Sequence, residues 1–109
     1  MMNLVLVEEK EMVDEYGVHC ERKEYEIGNY KVTVDWEDGK LDDIFVREDF
    51  NVEYVAEISL KGRHSWNGPL RFEIQTAAYG SKEVDDIQKI IKGYQQAIEV
   101  VEILTKKFL

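Results

Sequence analysis

Residues 25–36 read Tyr25-Glu26-Ile27-Gly28-Asn29-Tyr30-Lys31-Val32-Thr33-Val34-Asp35-Trp36, and this stretch decides the fold. Tyr30, Val32, Val34 and Trp36 alternate with Lys31, Thr33 and Asp35, the two-residue period of a strand with one buried face. Gly28-Asn29 suits a two-residue turn with positive φ. Pairing Ile27 with Tyr30 sets Tyr25 against Val32, Glu26 against Lys31 and Arg22 against Asp35. Two opposite-charge pairs on the outer face, each contributing a few tenths of a kcal/mol, support that register. The stretch therefore predicts an antiparallel hairpin over 18–27 and 30–37.

Outward from it, Leu4 to Val7 reads as a short strand, and the acidic residues 8–16 as loop or a weak helical turn. Asp38-Gly39 signals a turn into a strand near Ile44-Phe45-Val46, with an uncertain register because simple pairings set acids against acids. Residues 52–61 alternate with Val52, Tyr54, Ala56, Ile58 and Leu60 inward. Residues 70–78 repeat the pattern through Leu70, Phe72 and Ile74. These two runs predict a second hairpin with a longer loop.

The last segment is helical. Ser81 can cap it. Glu83, Asp85 and Asp86 in the first turn, with Lys106 and Lys107 in the last, complement the helix dipole. Val84, Ile87, Ile91, Tyr94, Ile98 and Val101 make an apolar stripe. Gln88, Lys92, Gln95, Glu99, Glu102 and Lys106 make a polar one. Gly93 lies outside both and marks a kink or a close contact, because glycine inside a helix costs about 1 kcal/mol relative to alanine.

Antiparallel strands with one apolar face need a cover, and one long amphipathic helix supplies it. The expected fold is α+β: a five- or six-stranded, mostly antiparallel, curved sheet packed against one long C-terminal helix. It forms one domain over 1–109, with the sheet in 3–78 and the helix at 82–107. A helix of that span would be about 39 Å long, more than the roughly 35 Å diameter expected of a compact domain of this size. Its second half is apolar around most of its circumference. That end either sinks beside the N-terminal strand or meets another subunit, which makes Val100, Ile103, Leu104 and Phe108 candidate dimer contacts.

The chain carries 23 acidic and 14 basic side chains, a net charge of -9. Residues 1–57 hold 17 acids and 6 bases, whereas 58–109 hold 6 and 8. This balance disfavours direct binding of nucleic acid, which calls for a basic footprint, and adhesion to an anionic membrane. An acidic face either keeps the protein in solution or steers it to a basic partner. The start of the chain has no basic-plus-apolar leader and no run long enough for a membrane helix, so the expected location is cytoplasmic. Cys20 is the only cysteine, so no intrachain disulfide is expected.

The catalytic inventory is thin. Cys20 adjoins His19, but neighbours on a strand point to opposite faces and make a poor nucleophile–base pair. His19, Cys20 and His64 do not form a zinc-site spacing. Asp35 to Gly39 places its glycine one position early for an EF-hand loop, and a turn explains it better. Glu21-Arg22-Lys23, with Asp14 as a further acid, supplies the acid-x-lysine pair of some metal-dependent nucleases, in a pattern short enough to arise in any charged strand. No glycine-rich phosphate cradle occurs. Neither enzymatic activity, a metal nor a cofactor is expected.

Lys61 to Pro69 places Arg63, His64 and Trp66 at a hairpin tip, where contact residues are frequent. Trp and Arg are common interface anchors. The expected role is that of a non-enzymatic, acidic protein-interaction domain. Glu37, Asp38, Asp42 and Asp43 would form its acidic patch, and Trp66 with Arg63 and His64 its anchor. The patch would occupy the basic surface of a partner that handles nucleic acid, as inhibitors carried by phages and mobile elements do. The alternatives are a small-ligand binder with a pocket near Tyr25, Tyr54, Tyr94, His64 and Arg71, and a homodimer built on the C-terminal helix.

Overall fold

The computed structural model describes residues 2–49, 51–62, 68–75, 80 and 82–109. Four strands, β1 (Val5–Val13), β2 (His19–Ile27), β3 (Tyr30–Glu37) and β4 (Lys40–Glu48), form an antiparallel sheet in chain order. A separate two-stranded ladder, β5 (Glu57–Lys61) with β6 (Arg71–Gln75), lies beside β4. The helix α1 spans Val84–Phe108. The α+β architecture, a curved antiparallel sheet under one long C-terminal helix, is the expected one, with its hydrogen bonds divided between ladders of four and two strands.

The β2–β3 register is the expected one at every position read from the sequence, including Ile27 with Tyr30 and Tyr25 with Val32. Arg22 meets Asp35 in a two-pronged ion pair, with Nε to Oδ1 at 2.7 Å and Nη2 to Oδ2 at 3.1 Å. One face of this hairpin, continued by Ile44 and Val46 of β4, forms the core. Ala56 and Ile58 close it from the second ladder, and Ala97, Val100 and Leu104 close it from the helix.

Three local expectations are corrected, and the β4 register left uncertain is settled. β1 continues through the acidic residues to Val13, because each of Glu8 to Val13 pairs with a residue of β2. All of β1 is exposed, so no apolar alternation marks it in the sequence. β4 does set Asp43 against Asp35, and a bulge between Asp35 and Trp36 relieves the register. The strand expected from residue 52 begins only at Glu57, because the Val52 N–H donates back to the Asp49 carbonyl and Tyr54 takes a φ of 57°. Glu83 stands at the helix cap position expected for Ser81, which lies outside the described residues.

The helix faces the sheet through a different stripe from the one its larger side chains suggest. Val84, Ile87, Ile91 and Ile98 are 68%, 43%, 49% and 49% exposed, whereas Ala97, Val100 and Leu104 are fully buried. At about 100° per residue the two stripes lie more than a third of a turn apart. The small residues decide it. A side chain at Gly93 would run into the Tyr54 carbonyl, so the helix approaches the 54–56 segment along the Gly93–Ala97 line.

Candidate interaction surface

In a four-stranded meander the first and third connections lie at the same end of the sheet. The β1–β2 loop and the β3–β4 turn meet there, and both are acidic. In the loop, the Asp14 carboxylate accepts the Tyr16 N–H at 2.8 Å and the Val18 N–H at 2.9 Å. Its own N–H donates to the Val18 carbonyl at 3.0 Å. Asp14 therefore shapes the loop as an Asx-turn residue does. In the β3–β4 turn, Asp38 and Gly39 both take positive φ, 49° and 77°. This is the double left-handed geometry for which Asp-Gly is suited.

The two turns are tied together through the start of β2. The Asp38 N–H donates to the His19 carbonyl at 2.8 Å, and the His19 N–H donates to Asp38 Oδ1 at 3.3 Å. Cys20 sits beside this junction, half-buried. Burial pushes its thiol up from the ordinary range, and the charges of Asp14, Glu37, Asp38 and Asp42 push it further in the same direction. Asp14 and Asp38 come from the two connections and Glu37 and Asp42 from the strand ends beside the β3–β4 turn, so the acidic groups of both turns share one region. A cavity of about 360 Å³ opens on the outer face here, with Cys20, Met12, Asp35, Glu37 and Asp42 among its lining residues.

Of the residues singled out in the sequence, Glu37, Asp38 and Asp42 share this end. Asp43 follows on β4 and accepts the Ile44 N–H at 2.9 Å. Arg63, His64 and Trp66 lie outside the described residues. The base of their loop is tight, because a side chain at Gly62 would meet the Pro69 carbonyl. Arg71 donates to that carbonyl at 3.3 Å and pairs with Glu73 at 3.2 Å.

The candidate dimer contacts are corrected in part. Val100 and Leu104 are fully buried inside the chain and cannot meet a second copy in this fold. Ile103 and Phe108 are half-buried against the core. Phe108 packs edge-on to Tyr25, with ring centroids 5.6 Å apart, and tilts against Trp36 at 6.2 Å. Of the pocket residues, Tyr25 is buried beneath this aromatic cluster, Arg71 is exposed, Tyr54 and Tyr94 are half-buried, and His64 lies outside the described residues.

Sequence reasoning passed over the apolar residues at the acidic end. Tyr16 is 83% exposed, and Met12 and Val13 are 62% and 65% exposed. The signal for Tyr16 was present, since an aromatic beside glycine in a short acidic loop has little to pack on. Met12 and Val13 were hidden because the segment did not read as a strand.

The arrangement offers little chemistry. Lys23 is held by Glu21 at 3.4 Å and Glu9 at 3.6 Å, and it lies 5.4 Å from the Trp36 ring. It is thus an ion-paired surface group. Among the described residues, no group of three or more histidines, cysteines and carboxylates is disposed to hold a metal ion. No described helix is long and apolar enough to cross a membrane.

Compared with known proteins, the chain matches no family model, no curated protein and no solved structure.

Proposed function

We propose that this protein is a non-enzymatic interaction domain whose acidic sheet end occupies the basic surface of a partner, in the place that nucleic acid would take. The observation that carries this reading is the meeting of Asp14, Glu37, Asp38 and Asp42 at one end of the sheet, around Cys20, where Asp38 is hydrogen-bonded to the start of β2. Asp14 and Asp38 are fixed by hydrogen bonds in short turns, and Glu37 and Asp42 flank them on strands, which makes a preorganised anionic surface. It attracts cationic grooves and repels nucleic acid itself. Tyr16, Met12 and Val13 stand exposed at the same end. They supply the apolar contact that charge alone lacks, since aromatic side chains anchor interfaces and charged rims chiefly tune association.

The test is capture of partners from the source cells on the immobilised protein at low and high salt, with recovered proteins identified by mass spectrometry. The expected result is a nucleic-acid-binding protein retained at low salt, released at high salt, and lost with a Glu15→Lys/Glu37→Lys variant. Tyr16→Ala should weaken retention at every salt concentration. Retention that is indifferent to salt and to charge reversal would overturn the reading.

A further inference from the structure

We propose that the exposed apolar stripe of α1, Val84, Ile87, Ile91 and Ile98, is the seam of a homodimer in which two copies pack these helices antiparallel about a two-fold axis at Gln95. This inference is independent of the acidic end. A compact chain of this size exposes about 6,300 Å², whereas this one exposes 7830 Å². Its radius of gyration is 16.0 Å, against about 13 Å for a compact chain of this length. The excess of roughly 1,500 Å² per chain is more than the roughly 800 Å² that each partner hides in a standard interface.

Two long elements contribute to that excess, and they differ in character. The edge strand β1 is guarded against pairing. It carries Glu8, Glu9 and Glu11, and a bulge at Val7 interrupts its register. Like charges and bulges are the means by which sheet edges resist adding strands. The helix stripe is less guarded: Glu102, five turns on from Val84, is the charged residue on its line. Its isoleucines are nearly half exposed in a row along one face, with Val84 more so.

The occupant is identified by the charges that flank the stripe. Along the polar side, Asp85, Lys92, Glu99 and Lys106 follow one another at seven-residue spacing, negative, positive, negative, positive. Read in reverse, the same series is its own complement about Gln95. An antiparallel second copy therefore sets Asp85 near Lys106, Lys92 near Glu99, and each of these pairs again by symmetry. The same registration brings Ile91 against Ile98 of the second copy, and Val84 near Thr105. A parallel, in-register pair would instead put the two copies of this series on opposite sides of the seam, where their charges gain nothing from one another. Among the described residues, Asp85, Lys92 and Lys106 form no ion pair within the chain. Glu99 accepts the Met2 N–H at 3.3 Å through one carboxylate oxygen. The self-complementary pattern fits a second copy of this chain without requiring any other partner.

The experiment is sedimentation equilibrium of the full chain, followed by cross-linking. The expected mass is twice that of the chain at about 100 μM, and Ile91→Glu/Ile98→Glu should weaken association on the order of 100-fold. Both positions are half exposed, so the variant should keep the wild-type circular dichroism spectrum. In a Cys20→Ser background, Gln95→Cys should form an intermolecular disulfide, because it faces its own copy across the axis. Gln88→Cys should not, being about 21 Å from its own copy in the antiparallel pair. A monomer at 100 μM would overturn the proposal, as would a dimer indifferent to Ile91→Glu/Ile98→Glu. Equal cross-linking at residues 88 and 95 would overturn the antiparallel arrangement, and so would none at 95.

Discussion

Gly93 of the helix lies directly against the Tyr54 carbonyl: a Cβ built on Gly93 would overlap that oxygen and stand 3.3 Å from its carbon. The contact is backbone to backbone, so no flexible side chain can yield. It fixes how closely α1 approaches the segment leading into β5, and the Lys89–Glu53 ion pair at 3.6 Å flanks it. Gly93→Ala should therefore destabilise the protein, although alanine gains about 1 kcal/mol of helix propensity. An overpacking cost of about 1–3 kcal/mol should outweigh that gain. Urea unfolding checks it, and a higher midpoint for the variant would show that helix and segment do not touch.

Tyr30 connects the two ladders. It is 2% exposed, and its hydroxyl donates to the carbonyl of Ala56. Burial, with a smaller contribution from the charge of Glu48, pushes its pKa up to about 12, whereas an unfolded tyrosine titrates near pH 10. The folded value is the higher one. The contribution is therefore complete below about pH 10 and is lost as pH rises toward 12. Tyr30→Phe should lower stability at pH 7 by about 1–2 kcal/mol, because it leaves the buried Ala56 carbonyl without its donor. The gap between variant and wild type should narrow above pH 10. A gap that stays constant to pH 12 would mean that the hydroxyl is not buried.

The parts of the fold legible in the sequence are those where one physical rule acts alone. The β2–β3 hairpin has alternation, a turn signal and charge pairing that agree, and its register follows from them. β1 beyond Val7 was illegible because both of its faces are exposed, so nothing selects an apolar period. The helix shows a subtler failure. Its large aliphatic residues define one stripe, but close approach favours the small ones, and Gly93 with Ala97 turns the helix onto another face. Gly93 was marked in the sequence as anomalous, yet its partner at Tyr54 depends on a contact that no local pattern encodes. The acidic end was half legible. The charges were plain, but their meeting depends on strand order, which places the first and third connections together.

Asp14 separates structure from charge at that end. Its carboxylate accepts two backbone N–H groups of its own loop, from Tyr16 and Val18. Asp14→Ala should remove both and cost about 1–2 kcal/mol. Asp14→Asn keeps an acceptor oxygen and should recover most of that loss. Thermal unfolding of the two variants decides between an organising role and a purely electrostatic one. Equal destabilisation would assign the effect to the charge.

Cys20 reports the field of the acidic end directly. Burial and then Asp14, Glu37, Asp38 and Asp42 raise its pKa, so less of it is thiolate at neutral pH than for a free cysteine. Alkylation by iodoacetamide should accordingly be slow at pH 7.5 and reach half its limiting rate at a pH above that of a model thiol. Removing one negative charge with Glu37→Gln should shift that midpoint down without altering the β3–β4 turn, whose hydrogen bonds to β2 come from Asp38. Added salt should shift it in the same direction, because screening weakens the exposed carboxylates and leaves the burial contribution in place. If neither the substitution nor salt moves the midpoint, the carboxylates do not converge on the thiol. The proposed anionic surface would then lose the observation that carries it.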